Sequence, residues 1–143
     1  MKECRRLVFE VVIPPKAQQR ARSCARHGRA FTFKSPSQKQ EEDRLIVLLY
    51  EHRPAVPLEG PLRLGVKAFL PIPESKSKKW KAMALCQDIR PTGRPDLDNL
   101  IKHFKDCATG IFWKDDKQIV EYSSFTGKYY GSPARWEIEI EEL

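Results

Sequence analysis

Apolar and polar positions alternate most clearly at the two ends of the chain, and both ends read as strand. Leu7-Val8-Phe9-Glu10-Val11-Val12-Ile13 is rich in β-branched residues and is expected to be a central strand, stopped by Pro14-Pro15 because proline donates nothing to a ladder. Near the other end Trp136, Ile138 and Ile140 alternate with Glu137, Glu139 and Glu141, which predicts a strand over 134–140 with one buried and one wet face. Leu62-Arg63-Leu64-Gly65-Val66-Lys67-Ala68-Phe69-Leu70 shows the same period before Pro71, and a further strand is expected over 118–129. The run 22–34 reads either as a basic hairpin turning at His27-Gly28-Arg29 or as a loop that nucleic acid orders.

Two stretches change to a period of 3.6. Leu97, Leu100, Ile101, Phe104 and Ala108 form the stripe of a helix that starts at Asp96 or Leu97 and stops at Gly110. Upstream, Ser35 is a candidate N-cap, Pro36 suits the first helical position and Gln38 completes a capping box. That helix is apolar all round over 45–50, which predicts burial by the sheet and also by a second subunit. A shorter basic helix is expected within 75–87. With 143 residues the chain suits one domain, 1–143, and the expected architecture is α+β: a mostly antiparallel sheet with helices packed on one side.

Charge sharpens this picture. The net charge is +7, and no acid occurs between Val11 and Gln40, where Lys16, Arg20, Arg22, Arg26 and Arg29 fall. A second basic run contains Lys76, Lys78 and Lys79, and Arg94 lies in the Pro- and Gly-rich loop before the first aspartates. These nine residues are the candidate DNA contacts, since neutralising phosphates releases counterions; the plainer reading is a solvated basic face. No apolar run approaches the roughly 20 residues of a membrane span. The short 7–13 run does not read as a signal peptide, so a cytoplasmic location away from membranes is expected. Cys4, Cys24, Cys86 and Cys107 form no C-x-x-C pair; Cys24 and His27 have a usable metal spacing but lack a second pair, so reduced thiols are expected.

Within this basic chain the acids gather in two places. Asp96 and Asp98 stand at the mouth of a helix with Lys102 one turn beyond Asp98, and Asp115-Asp116 follow the helix. Two carboxylates about 4 Å apart repel by about 4 kcal/mol at an effective dielectric near 20, so such a cluster takes up protons or binds a cation. Phosphodiester hydrolysis needs an activated water and neutralised phosphoryl oxygens. A hard divalent cation on a few carboxylates supplies both. Asp96 and Asp98 are two candidate ligands, Asp115 or Asp116 a third, and Lys102 can stabilise developing negative charge or hold a phosphate. Duller readings stand beside these: a helix cap, an i,i+4 ion pair, and a turn entering a strand. Phe31, Phe33, Trp80 and Tyr129 suit either base stacking or core packing, while His27 and His103 read as incidental.

The spacing of D-L-D-N-L-I-K at 96–102 and G-I-F-W-K-D-D-K-Q-I-V at 110–120 resembles the RusA family of Holliday junction resolvases, found in bacteria and especially in phages and prophages. Pro14-Pro15, Gln19-Arg20, Arg29-Ala30-Phe31-Thr32-Phe33 and Ile89-Arg90-Pro91-Thr92 extend the resemblance over nearly the whole chain. It implies a homodimeric endonuclease, dependent on magnesium with manganese as a substitute, that nicks four-way DNA junctions symmetrically. By motif position the metal-binding carboxylates would be Asp96, Asp98 and Asp116. Asp115 would be an accessory acid, Lys102 the family's functional lysine, and Arg20 part of its basic DNA-contacting segment. Other branched DNA, such as forks or flaps, and a catalytically silent junction-binding module are the competing readings. From Asp98 to Gly110 the helix spans about 18 Å. Asp116 must therefore fold back along it or meet the aspartates of another subunit.

Overall fold

The computed structural model describes residues 3–17, 22–26, 29–33 and 36–143, with side chains described for 3–17, 36–37 and 39–143. In chain order the elements are β1 (Arg6–Val11), β2 (Arg22–Arg26), β3 (Arg29–Phe33), α1 (Pro36–Tyr50), β4 (Leu62–Leu70), α2 (Lys78–Leu85), α3 (Leu97–Ala108), a 3-10 turn (Asp116–Gln118), β5 (Ile119–Tyr122), β6 (Gly127–Tyr130) and β7 (Arg135–Glu142). The expected hairpin exists as the antiparallel pair β2 and β3, with Cys24 opposite Phe31. Its turn at His27-Gly28, the Cys24 and His27 side chains, Arg20, the Ser35 cap and the Gln38 side chain lie outside the described residues. So do the side chains of Arg22, Arg26, Arg29, Phe31 and Phe33.

The sheet is organised around β4, whose residues 62, 64, 66, 68 and 70 bury one face. On one side β4 pairs antiparallel with β7, setting Leu64 opposite Ile140, Val66 opposite Ile138 and Ala68 opposite Trp136. β7 in turn pairs antiparallel with β1, so Leu7, Phe9 and Val11 join the same face. On its other side β4 runs parallel to both β5 and β6. The mostly antiparallel sheet expected from the sequence is therefore mixed. The physical reason is the connection: the chain leaves β4 through α2 and α3 before returning, and a crossover of that length brings the next strand back parallel.

Two further expectations are corrected. The strand expected over 118–129 is two strands, β5 and β6, separated by a turn in which Thr126 N–H donates to the Ser123 carbonyl at 3.0 Å. The first strand is an edge rather than the centre, for among the described residues β1 pairs only with β7. Its apolar run misleads because only alternate residues reach the core; Val8 is 66% and Val12 58% exposed.

Helices α1 and α3 cover the buried face. Leu45 and Leu49 of α1 and Leu100, Ile101, Phe104, Cys107 and Ala108 of α3 share one cluster with Val66, Trp136, Ile138 and Ile140. α3 ends where Gly110 takes φ +92°, a left-handed conformation that favours glycine. The Thr109 hydroxyl donates to the Lys105 carbonyl at 2.7 Å and accepts from the buried Trp113 indole N–H at 2.9 Å. α2 stands apart from this cluster, meeting β6 through an edge-on contact between Trp80 and Tyr130. No helix among the described residues is long and apolar enough to cross a membrane.

Among the described residues no helix contributes to the opposite face of the sheet. It carries Glu137, Glu139 and Glu141 of β7, interleaved with Arg6, Arg63, Lys67 and Arg135 from their own and neighbouring strands. Arg6 pairs with Glu139 at 2.7 Å, and Arg63 bridges Glu121 and Glu141. Gly65 lies on this face directly under the Phe125 ring, 2.6 Å from Cε2 to where a Cβ would sit, so no side chain fits there.

One buried carboxylate ties the two ends of the chain together. Glu142 accepts from the Arg5 backbone N–H at 3.0 Å, from its guanidinium at 3.2 and 3.1 Å, and from the Glu59 N–H at 2.8 Å. Arg5 reaches on to the carbonyls of Val56 and Pro57, both at 2.7 Å. The Arg5 guanidinium, with the N–H groups of Glu59 and Arg5, holds the Glu142 carboxyl down at about 2 against burial that pushes the other way. Because the folded value lies below the unfolded one, this stabilisation is complete above about pH 4.5 and is lost as pH falls toward about 2. Glu142→Gln should lower unfolding free energy at pH 7 by about 1.5–3 kcal/mol and flatten the acid limb of a urea-midpoint profile. An unchanged acid limb would assign the pH dependence to other carboxylates.

Candidate active site at the N-terminus of the third helix

Asp96 is the N-cap of α3 in extended conformation (φ −68°, ψ 145°), yet its side chain makes no capping hydrogen bond. The cap reading of this residue is therefore only half right, since its backbone caps while its carboxylate stays exposed and available. Asp98 lies in the first turn, also exposed, and Lys102 is exposed one turn further on. The positive end of the helix dipole favours both carboxylates. α3 presents these polar groups because its other side, from Leu100 through Phe104 to Ala108, is fixed in the core.

The loop that delivers Asp96 is held from β6. Lys128 Nζ donates to the carbonyls of Gly93 at 2.8 Å and Pro95 at 3.0 Å, and Arg90 Nε returns to the Lys128 carbonyl at 2.7 Å. The Arg90 guanidinium lies 3.9 Å from the centre of the Tyr129 ring, which stacks on Phe69. Tyr129 thus packs on the uncovered sheet face. Trp80 is half-buried between Tyr130 and Lys76, whose ammonium is 5.1 Å from its ring centre.

The second acidic pair forms a turn. Asp115 accepts from Lys117 N–H at 2.9 Å, and Gln118 Oε1 accepts from the N–H groups of Lys114 and Asp115 at 3.0 and 3.1 Å. Gln118 Nε2 fastens the turn to the carbonyls of Leu58 and Gly60 at 3.2 and 3.1 Å. The Lys117 N–H, more than the Lys117 charge or the Asp116 side chain, holds the Asp115 carboxyl below the usual carboxylate range. Asp115 is accordingly part of the turn, and Asp116 beside it is likewise exposed.

The two pairs lie toward opposite ends of α3. The Asp96 end is tied to β6 opposite the last residues of β4, whereas the Asp116 turn is tied to Leu58 and Gly60, just before β4 begins. Ten residues separate Asp98 from Ala108, about 15 Å of helix. Among the described residues no three His, Cys, Asp or Glu side chains gather closely enough to hold a metal. Asp96 and Asp98 alone offer hard oxygen donors of the kind magnesium takes, usually one or two carboxylates completed by water and phosphate.

Of the candidate DNA contacts, Lys16 and Arg94 border a cavity beside α3, whereas Lys76, Lys78 and Lys79 are exposed on and just before α2. Arg22, Arg26 and Arg29 belong to the β2–β3 hairpin. His103, read as incidental from sequence, is only 4% exposed and borders two cavities beside the acidic helix end. The signal was in the stripe itself, for position 103 falls between the buried residues 100, 104 and 107.

With this geometry in view, the comparisons are informative. The sequence model of the family described as Endodeoxyribonuclease RusA matches residues 13–141. The uncharacterized protein YqaN of Bacillus subtilis (strain 168) is 34% identical over 137 residues, covering 94% of this chain and 95% of that protein. A crossover junction endodeoxyribonuclease rusA of Lactococcus phage r1t is 38% identical over 85 residues, covering 58% of this chain and 56% of the phage protein.

The Lys128 tether has a direct readout. In Lys128→Met, exchange of the Leu100 amide, whose N–H donates to the Asp96 carbonyl at 3.1 Å, should quicken by up to about tenfold as the loop before the helix loosens, while Phe104 keeps its rate. Equal rates in both proteins would show that the loop is held by other contacts.

Proposed function

The chain belongs to the RusA family of endodeoxyribonucleases, and from that premise we propose that it resolves four-way DNA junctions by paired symmetric nicks. The observation that carries this reading is an exposed carboxylate pair, Asp96 and Asp98, at a helix end whose own N–H groups do not engage Asp96. Asp96, Asp98 and Asp116 would hold magnesium, or manganese in its place, with Asp115 shaping the turn that presents Asp116. When bound, the ion would supply a nucleophile at neutral pH and neutralise phosphoryl oxygens. Lys102, one turn above Asp98, would face the charge that develops on the phosphate. Lys76, Lys78 and Lys79 on the α2 side and Arg20, Arg22, Arg26 and Arg29 of the hairpin segment would hold the arms of the substrate through their phosphates.

Dimerisation belongs to the same reading. The distance along α3 between the acidic pairs favours sites completed across two subunits, with Asp116 of one copy meeting Asp96 and Asp98 of the other. Val12, Val47 and Tyr50 are each more than half exposed, and they give a second copy apolar surface to cover.

Asp98→Asn should abolish magnesium-dependent nicking of a labelled four-way junction, by at least about 10²–10³-fold, and leave junction binding intact. Binding lost together with cleavage would mark Asp98 as structural. Forks and plain duplex serve as competing substrates; faster cutting of forks would move the target to replication-type branches. Mixing Asp98→Asn with Asp116→Asn subunits should regain cleavage if sites are shared, because one site of the mixed dimer is then complete. A mixture that stays inert places all three acids in one chain.

A further inference from the structure

Beside the acidic helix end lies a cleft whose walls come from three separate parts of the chain. Two cavities, of about 120 and 300 Å³, share Lys16, Glu41 and His103 in their walls. Arg44 of α1 borders the smaller one, and Arg94 with Pro95 borders the larger. Pro95 immediately precedes Asp96, so one wall of the larger cavity belongs to the segment that carries the candidate active site.

We propose that this cleft binds a backbone phosphate of the DNA strand adjacent to the one being cut, and that Glu41 occupies Lys16 until that phosphate arrives. The proposal rests on the nuclease reading and adds the place where the flanking strand is gripped. Among the described residues three cations, Lys16, Arg44 and Arg94, and one carboxylate, Glu41, line the cleft. That carboxylate is in an ion pair with Lys16, and with 58% of Lys16 and 35% of Glu41 exposed the pair is solvated. Exposed pairs of this kind are weak, so a phosphate can displace Glu41 at little cost. His103 closes the bottom as a buried polar group in an otherwise largely apolar floor that includes Leu45 and Trp136.

The chain's course supports the same occupant. The segment leaving the cleft at Ala17 continues into the β2–β3 hairpin with Arg22, Arg26 and Arg29, and returns as α1, which carries Glu41 and Arg44. In chain order the basic hairpin therefore falls between two segments that line the cleft. On the other side of the molecule cations of the sheet face are already paired, Arg6 with Glu139, Arg63 with Glu121 and Glu141, and Arg135 with Glu137.

The test measures affinity for a labelled four-way junction in EDTA, where no cutting occurs, across a series of salt concentrations. Glu41→Gln should tighten binding by up to about fivefold, the release of an exposed ion pair. The charge-matched control Glu121→Gln, on β5, should change it less than twofold. Lys16→Ala should weaken binding and reduce the slope of log affinity against log salt by about 0.9, one phosphate contact. The proposal is overturned if Glu41→Gln matches Glu121→Gln or if the slope in Lys16→Ala equals that of the wild type. Titration with inorganic phosphate separates the sources. Saturable phosphate binding that Lys16→Ala abolishes, without either change in junction affinity, would assign the cleft to the free ion and overturn the DNA assignment. In a parallel assay with magnesium or manganese, wild-type protein that binds a junction without nicking it removes the nuclease reading but leaves the cleft to be judged by the same variants in EDTA. Wild-type protein that binds no junction overturns both.

Discussion

The position of α3 on the sheet is the constraint from which the rest follows. One side of this helix is locked into the core by Leu100, Ile101, Phe104, Cys107 and Ala108 against β4 and β7. Its far end is closed by the Thr109 and Trp113 side chains bonded to each other, with Gly110 allowing the chain to reverse. Burial of large side chains such as Phe104 is worth about 1.5–3 kcal/mol each, and it fixes the helix in rotation as well as position. The exposed side of its first turn then has no choice but to present Asp96, Asp98 and Lys102 to solvent. An acidic site in a basic protein needs that rigidity, because carboxylates on a loose loop would find nearby lysines and arginines before a cation.

Charge is sorted by face rather than by sequence. Around the start of α3 the basic groups Lys16, Arg44 and Arg94 come together from segments far apart in the chain. On the uncovered side of the sheet the glutamates of β7 are answered at short range by Arg6, Arg63 and Arg135. A net charge of +7 thus overstates how uniform the surface is. For a polyanionic substrate the useful quantity is the local field, to which Lys16, Arg44 and Arg94 contribute positive charge beside α3.

Much of this was readable from residue pattern. The alternation around Trp136, Ile138 and Ile140 marked β7, and the 3.6-residue stripe from Leu97 to Ala108 marked α3 with Gly110 just past its end. The basic run over 22–34 admitted a hairpin or a loop, and the pairing of β2 with β3 decides for the hairpin. The acidic motif was legible as spacing, and the structure sets Asp96 as the N-cap of α3 and Asp98 in its first turn. Where the reading failed, a local signal had been asked a global question. The apolar run of β1 is as β-rich as a central strand, yet Val8 and Val12 face outward at the edge of the sheet. The run after Gln118 has strand composition throughout, but the turn at Ser123–Thr126 divides it, and both halves pair with the same strand.

Sequence by itself determined the element types, the chemical identity of the acids and the family, since each depends on short-range spacing along the backbone. Only the tertiary structure decided strand order, the mixed direction of the sheet and the separation of Asp96 and Asp98 from Asp116 along α3. It alone gathered Lys16, Glu41, Arg44, Arg94 and His103 around one cleft. Those facts depend on which buried faces meet, and packing is settled by shape and volume between segments that share no neighbourhood in the chain.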